Sequence, residues 1–174
     1  VVALGSTSET AIATLDYLRS KGLRVGVVNV TAFRPFPGPE IVKALKQLKA
    51  FSVIERLDVP LAVDNPLTAE INAAFAKAVM GSEGYPAISR IPKVYSGCAG
   101  LGSRDVTPGQ IVACVKNMVE SQPGSNGHGP GKRFFVLGID YKDSLRVEEE
   151  PDVRPPASFS IRGHSVGGYG SVTP

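Results

Sequence analysis

Hydrophobic and polar residues follow two patterns along the chain. Short apolar runs at 1–4 (VVAL), 24–30 (RVGVVNV), 51–55 (FSVIE), 91–95 (IPKVY) and 134–138 (FFVLG) predict strands. The longer segments between them carry apolar residues every three or four positions, as helices do. Because strands that alternate with helices build βαβ units, the pattern predicts an α/β fold. We expect a three-layer, mainly parallel sheet with helices on both faces.

Two of these runs also suggest a position in the sheet. The run at 24–30 is rich in β-branched residues and almost uncharged, which predicts a central strand covered on both faces. The run at 134–138 predicts an edge strand that returns to the sheet. Gly97, Gly100 and Gly102 predict a flexible turn after the fourth strand.

Helices are predicted at 8–21, from 39 onward, at 68–80 and from 108 onward. Thr68 and Thr107 are the expected N-caps of the last two, and Pro108 is the expected first residue of the final helix. The apolar residues expected to face the sheet are Ala11, Leu15 and Leu18, then Ile41, Val42, Ala44, Leu45 and Leu48, then Ile71, Ala74, Phe75 and Val79, then Ile111, Val112, Val115 and Val119.

The composition of the chain changes after the last predicted helix. Residues 121–132 (SQPGSNGHGPGK) predict a linker or long surface loop, because they contain too few apolar groups to offset chain entropy. Residues 146–174 contain an acidic run and several prolines, which predict an extended tail. We therefore expect one α/β domain at 1–120, a strand at 133–145 that returns to it, and the truncated start of a next domain in the tail. The abrupt opening VVAL indicates a piece of a longer protein.

Charge and cysteine content narrow the function classes. The formal net charge is +3, and Lys and Arg are scattered along the chain, so we expect no nucleic-acid interface. No apolar run approaches the length of a membrane span, and we expect no membrane association. Cys98 and Cys114 are too few and too far apart for a metal site or a disulfide scaffold. We expect both to be reduced and buried, in a cytoplasmic protein.

Polar residues at predicted strand ends are the candidates for chemistry. The turn from Gly5 to Ser8 leads from a strand into a helix N-terminus, where amides can hold a phosphate, although plain capping by Ser or Thr is the favoured interpretation. Arg34 lies in a proline-rich loop, where pairing with a nearby carboxylate is favoured. Glu55 and Arg56 end a strand at the edge where α/β proteins place ligands. None of these is predicted to be catalytic.

Several segments in the right order resemble one family of enzymes. They are the turn Gly5-Ser6-Thr7, the loop Arg34-Pro35-Phe36-Pro37, the strand end Val53-Ile54-Glu55-Arg56, the turn 100–108 (GLGSRDVTP), the exit 135–145 and the Gly-rich stretch 167–173 (GGYGSVT). Together they resemble the pyruvate:ferredoxin (or flavodoxin) oxidoreductases and their 2-oxoacid relatives. The matching part is a domain similar to the C-terminal domain of transketolase, followed by the start of the next domain.

The resemblance implies an activity that this chain supports from outside the catalytic centre. The family oxidatively decarboxylates a 2-oxoacid on thiamine diphosphate, passes electrons through iron-sulfur clusters to ferredoxin or flavodoxin, and transfers the acyl group to coenzyme A. Those cofactors belong to the intact enzyme, so this chain is expected to hold none and to be inactive alone. Its partners are then the other domains or subunits of the enzyme, within a homodimer.

The resemblance also assigns residues to roles in the intact enzyme. Gly168, Gly170, Ser171 and Thr173 are the implied coenzyme A contacts. Arg34, Glu55 and Arg56 are the implied contacts with neighbouring domains.

Two other functions remain open from the residues alone. The strand, Gly-containing turn and helix at the start of the chain also fit a free-standing, flavodoxin-like module that binds a nucleotide or cofactor. A non-catalytic interaction domain for subunit assembly would use the same sheet. His128 and His164 lie in Gly-rich segments, and His128 is expected to be solvated.

Overall fold

The computed structural model describes residues 1–120 and 131–159. Within these ranges the strands are β1 Val2–Leu4, β2 Val28–Val30, β3 Ala50–Glu55, β4 Lys93–Cys98 and β5 Phe134–Val136. The helices are α1 Ser6–Ala13, α2 Leu15–Ser20, α3 Gly38–Leu45, α4 Pro66–Val79 and α5 Pro108–Glu120, with a short 3-10 turn at Leu101–Ser103. In these ranges no helix combines the length and the apolar character needed to cross a bilayer.

The strands form one parallel sheet in the order β2-β1-β3-β4-β5. The most extensive pairing joins β3 and β4, from Ala50 opposite Lys93 to Glu55 opposite Cys98. On the outer side of β5, Ser144 forms an isolated parallel bridge with Val136. Because every strand runs the same way, all carboxyl ends lie at one edge of the sheet.

Helices cover both faces of the sheet and create two hydrophobic cores. On one face, α1, α2 and α5 bury Leu18, Ile111 and Val115 against Phe135 of the sheet. On the other face, α3 and α4 pack on β1 and β3, and the ring of Phe75 stacks on that of Phe51 with centroids 5.8 Å apart. The predicted three-layer parallel α/β fold is confirmed.

The prediction of a central strand at 24–30 was wrong. Only Val28–Val30 forms a strand, and among the described strands it pairs with β1 alone at an end of the sheet. Val25 and Val27 instead pack, half-buried, against the core beneath α1 and α5 without joining the ladder. The β-branched composition correctly indicated burial of apolar side chains, but position within a sheet depends on pairing partners that are distant in sequence.

Two helix starts differ from the prediction. The segment 8–21 forms two short helices that meet at Thr14, whose hydroxyl donates to the Thr10 carbonyl oxygen over 2.7 Å. This kind of back-bonding bends helices. Helix α4 begins at Pro66 after Asn65, so Thr68 lies inside its first turn and is not the N-cap. A proline is well suited to the first helical position because it has no N–H to satisfy.

The fourth strand begins and ends later than predicted. Pro92 cannot donate to a ladder, and β4 starts only at Lys93. Gly97, predicted to lie in a turn, is inside β4 directly opposite Phe135 of β5. A Cβ atom at Gly97 would lie 2.1 Å from Cε2 of the Phe135 ring, so the strand approaches the ring closely only because position 97 is glycine. Four residues predicted to face the core or to belong to a strand are exposed, namely Ala44, Leu48, Val79 and Ile91.

Candidate functional site

The carboxyl edge of the sheet gathers the polar residues that the sequence singled out. Gly5 follows β1, Glu55 and Arg56 lie at the end of β3, and Gly100 follows β4. In α/β proteins this edge is where ligands bind. The geometry around each residue decides which of them is available to do so.

Glu55 is buried and binds the first turn of α4. The residue is 5% exposed. Oε2 accepts a hydrogen bond from the Leu67 amide over 2.7 Å, and Oε1 accepts from the Thr68 amide and the Thr68 hydroxyl, both over 3.0 Å. A carboxylate at this position satisfies amides that have no partner within the helix, and it faces the positive end of the helix dipole. Glu55 therefore attaches α4 to the sheet.

The Thr68 hydroxyl extends this contact across to β4. It lies 3.0 Å from the hydroxyl oxygen of Ser96, and both residues are buried. The buried polar groups of Glu55, Thr68 and Ser96 thus satisfy one another inside the domain. The predicted contact of Glu55 with a neighbouring domain stays a prediction, since its oxygens are engaged within this domain. A motif search over single segments misses this triad, because its members come from three separate elements.

Arg56 and the turn after β4 form a second cluster at the edge. The exposed Arg56 donates from Nη2 to the Arg104 carbonyl oxygen over 3.3 Å. Gly100 has a φ of +67°, and a Cβ atom there would lie 2.7 Å from Nε of Arg56. The left-handed backbone favours glycine at this position, and the absence of a Cβ atom leaves room for the guanidinium beside it. Arg56 remains solvent-accessible, and its predicted interdomain contact stays a prediction.

Arg34 lies on the surface beside α4. Its guanidinium pairs with the Glu70 carboxylate over 2.6 Å and lies 4.3 Å from the centroid of the Phe33 ring. The side chain is 62% exposed, so the ion pair contributes at most about 1 kcal/mol to stability. Pairing with a nearby carboxylate is confirmed, and the predicted contact with another domain stays a prediction.

The turn after β1 is not capped in the expected way. Gly5 is the N-cap of α1, and no side chain caps the helix. The Ser8 hydroxyl instead donates to the Gly5 carbonyl oxygen over 2.6 Å. The Thr7 hydroxyl is buried and has no hydrogen-bond partner within residues 1–120 and 131–159. The favoured interpretation of Ser or Thr capping at this turn was therefore wrong.

The cysteines are buried and weakly acidic. Neither forms a disulfide, and both are buried, which confirms the expected burial. Burial raises the pKa of Cys98 to about 11 and that of Cys114 to about 11. An iron-sulfur cluster needs several cysteine thiolates, and the chain contains two cysteines. The residues of this chain therefore do not fit such a cluster, and the described ranges contain no group of His, Cys, Asp and Glu that could hold a metal ion.

The acidic run of the tail, predicted only to be extended, is bound to the domain. Glu150 Oε1 accepts from the Gly109 amide at the start of α5 over 2.9 Å, and Oε2 accepts from the Thr107 hydroxyl over 2.7 Å. Glu149 pairs with Lys116 over 2.7 Å and accepts a hydrogen bond from the Tyr17 hydroxyl. These contacts cap α5 and hold the tail against it. The Thr107-Pro108 helix start could have suggested an acidic partner, because helix N-termini attract carboxylates.

Gly168, Gly170, Ser171 and Thr173, the implied coenzyme A contacts, lie outside the described residues, as do His128 and His164. Their roles stay predictions.

Comparison with known proteins assigns the family. The family model described as pyruvate:ferredoxin oxidoreductase core domain II matches residues 1–111. The chain is 30% identical to the pyruvate-flavodoxin oxidoreductase of Nostoc sp. strain PCC 7120, in an alignment that covers 99% of the chain and 14% of the relative. It is 28% identical to the pyruvate:ferredoxin oxidoreductase of Moorella thermoacetica, over 99% of the chain and 14% of the relative.

A shorter relative shows the same relationship. The chain is 33% identical to the pyruvate synthase subunit PorA of Methanothermobacter thermautotrophicus, over 67% of the chain and 26% of that subunit. In each of these relatives the region that matches is a minor part of a much longer polypeptide. The chain belongs to the pyruvate:ferredoxin oxidoreductase family, and its residues 1–111 correspond to core domain II.

Proposed function

We propose that the chain is the second core domain of an enzyme that oxidatively decarboxylates a 2-oxoacid, pyruvate, and transfers the acyl group to coenzyme A. The observation that carries the proposal is the match of core domain II to residues 1–111, extended by relatives that align along 99% of the chain. Ferredoxin or flavodoxin is the electron acceptor in the proposal, in keeping with the names of those relatives.

The domain is proposed to support catalysis without carrying it out. This role is supported by the way the buried polar groups at the carboxyl edge are used, since Glu55, Thr68 and Ser96 are hydrogen-bonded within the domain. The raised pKa of both cysteines also argues against a thiolate nucleophile. Thiamine diphosphate and the iron-sulfur clusters are then held by other parts of a cytoplasmic homodimer, and coenzyme A binds only in the intact enzyme. This chain alone is inactive.

The proposed domain organisation follows the sequence boundaries. Residues 1–120 form the α/β body, 121–132 form the linker or loop, and 133–145 return a strand to the sheet. Residues 146–174 lead into the next domain, where Gly168, Gly170, Ser171 and Thr173 contribute to coenzyme A binding. Support for a defined exit comes from Glu149 and Glu150, which hold the start of the tail against α5.

A turnover assay tests the proposal. The 174-residue chain and the complete polypeptide that contains it are each given pyruvate, coenzyme A and an oxidised low-potential acceptor, and acceptor reduction is followed by absorbance. The complete polypeptide should reduce the acceptor only when pyruvate and coenzyme A are both present, and the chain alone should show no turnover. Turnover by the chain alone would contradict the supporting role. A complete polypeptide that does not oxidise pyruvate would contradict the proposed reaction.

The strand order favours a second candidate function, that of a free-standing, flavodoxin-like module that binds a nucleotide or cofactor. The order 2-1-3-4-5 is that of flavodoxin-like proteins, in which a nucleotide binds between the first and third strands. At that junction α1 starts without a side-chain cap, and the Thr7 hydroxyl is buried without a partner among the described residues. Calorimetric titration with flavin mononucleotide and with nicotinamide dinucleotide tests this function. Saturable micromolar binding that is lost in Thr7→Val would support it, and no measurable heat would exclude it for these nucleotides.

A further inference from the structure

The loop between β3 and α4 exposes apolar side chains at its tip. This 57–64 loop has the sequence LDVPLAVD. Leu61 is 106% exposed and Val63 is 100% exposed, relative to an extended reference. Single exposed aliphatic residues are ordinary on a protein surface, but fully exposed neighbours beside a groove indicate an interaction site.

The base of the 57–64 loop is held firmly. Asn65 is buried, and its side chain accepts from the Val59 amide over 3.0 Å and donates to the Leu57 carbonyl oxygen over 3.1 Å. At the other end, the Asn72 amide group donates to the Asp64 carboxylate over 2.8 Å. Leu61 itself has a φ of +69°, a conformation that non-glycine residues rarely adopt. The loop is therefore built to present its tip to the outside.

An open groove separates this loop from the end of the sheet. It has a volume of about 730 Å³, and its far side is formed by the start of β4 and by β5. Val94 packs towards α4, and Ser96, two residues further along the strand, faces the same side. Phe134 pairs with Ser96 across the ladder and is 38% exposed, while Ile91 is 46% exposed. The groove thus lies over a part of the sheet that the helices of this face leave uncovered.

The chemistry of the groove fits an apolar protein segment better than a small polar ligand. Small-molecule sites combine apolar walls with a few converging polar groups. Here the polar groups on the floor, Thr68 and Ser96, are already bound to each other, and Thr68 also donates to Glu55. Asp64, Asn65 and Asn72 also line the groove, and they are hydrogen-bonded within the loop and α4. The remaining walls are aliphatic and aromatic, with the charges of Asp58 on the loop side and of Lys93 and Arg133 on the strand side. An apolar segment with charged flanks would match this surface.

We propose that the groove between the 57–64 loop and β5 is the docking site for an apolar segment of another domain of the same polypeptide. The inference rests on the proposed function, in which the chain is one domain of a longer enzyme. The length of the relatives favours this occupant, since the matching region is 14% of the Nostoc and Moorella enzymes and 26% of the PorA subunit. Docking there covers Leu61 and Val63 and gives the strained loop a function.

Site-specific photocrosslinking in the complete polypeptide tests the proposal. Leu61 is replaced by p-benzoylphenylalanine, and Met80 is replaced in the same way as the matched control. Met80 is an apolar residue, 80% exposed, at the other end of α4. After irradiation, crosslinked peptides are identified by mass spectrometry, with a mixture of isotopically light and heavy protein to separate links within one copy from links between copies. The crosslink yield to residues outside these 174 should be at least fivefold higher from position 61 than from position 80.

The outcomes distinguish failure of the docking site from failure of the proposed function. Links from position 61 to another region of the same copy support the docking site and identify its occupant. Links to a second copy, links confined to these 174 residues, or yields equal to the Met80 control would each overturn it. Pyruvate oxidation is assayed on the same preparation before irradiation. An active enzyme without the expected crosslink refutes only the docking site, whereas an inactive complete polypeptide refutes the proposed function.

Discussion

Replacing Gly97 by alanine should destabilise the domain strongly. Gly97 lies in β4 with the ring of Phe135 directly beside it. A Cβ atom at position 97 would lie 2.1, 2.3 and 2.7 Å from three carbon atoms of that ring, where ordinary contacts begin at 3.4 Å. Phe135 is 0% exposed, so the ring has no solvent into which to move. Either the ring leaves its rotamer or the two strands separate.

The expected size of the effect follows from this overlap. Overpacking a well-packed core costs about 1–3 kcal/mol, and occasionally more. Because three ring atoms are contacted at once inside a two-strand ladder, we expect a loss of about 3 kcal/mol in the free energy of unfolding. Alanine also restricts the unfolded chain more than glycine does, which offsets about 0.4–1 kcal/mol where the native backbone accommodates it. The net loss should therefore be about 2–3 kcal/mol.

Urea denaturation followed by circular dichroism measures this loss, with Gly26→Ala as the matched control. Gly26 has a φ outside the left-handed region and no atom within 4 Å of its ideal Cβ position, so its replacement should be neutral or slightly stabilising. With a typical slope of about 2 kcal/mol per molar urea, the midpoint of Gly97→Ala should fall by about 1–1.5 M. In Gly97→Ala/Phe135→Leu the smaller side chain should recover part of the loss. Equal midpoints for the two alanine variants would refute the packing argument.

Three further predictions concern buried and paired groups. Glu55→Gln should lower the free energy of unfolding by about 2–3 kcal/mol, because the amide nitrogen of glutamine cannot accept hydrogen bonds from the α4 amides. In the same urea assay the control Glu83→Gln, at an exposed position, should change the free energy of unfolding by less than about 0.5 kcal/mol. Iodoacetamide at pH 8 should alkylate Cys98 and Cys114 about a hundredfold more slowly in the native chain than in urea, since burial raises each pKa from 9.0 to about 11, and equal rates would contradict that burial. The Lys116 ammonium and the Tyr17 hydroxyl lower the pKa of Glu149 below its ordinary value of 4.5. The stability that Glu149 contributes is therefore complete above pH 4.5 and is lost as the pH falls through the lower pKa of the folded chain. Glu149→Gln should flatten the dependence of the unfolding midpoint on pH in that acid range, and an unchanged profile would count against the pairing.

The site residues show how far reasoning from single segments extends. Glu55 ends an apolar run in the sequence, and the structure places it at the carboxyl end of β3 as expected. Its partners Thr68 and Ser96 come from α4 and β4, and no local pattern connects them to Glu55. A hydrogen-bonded triad of this kind depends on three distances that are set only when the sheet and α4 have assembled.

The tip of the 57–64 loop is apolar in sequence but exposed in the structure. Its sequence is mostly apolar, and a periodicity argument gives no reason to place Leu61 and Val63 in solvent. Asn65 and Asn72 fix the ends of the loop by hydrogen bonds, and the tip between them lies in solvent. Apolar character in a sequence indicates that burial is favourable, but the covering surface can belong to another domain.

The sequence by itself determined the fold class, the identity of most core side chains and the family. The alternation of strands and helices is local, and each element's period of two or about 3.6 residues is recorded in consecutive positions, so these features can be inferred without knowing the fold. Only the tertiary structure decided the order β2-β1-β3-β4-β5, the edge position of β2, the contact of Gly97 with Phe135 and the use of Glu55 to hold α4. Those features depend on contacts between residues far apart in the chain, whose geometry exists only after the elements have packed together.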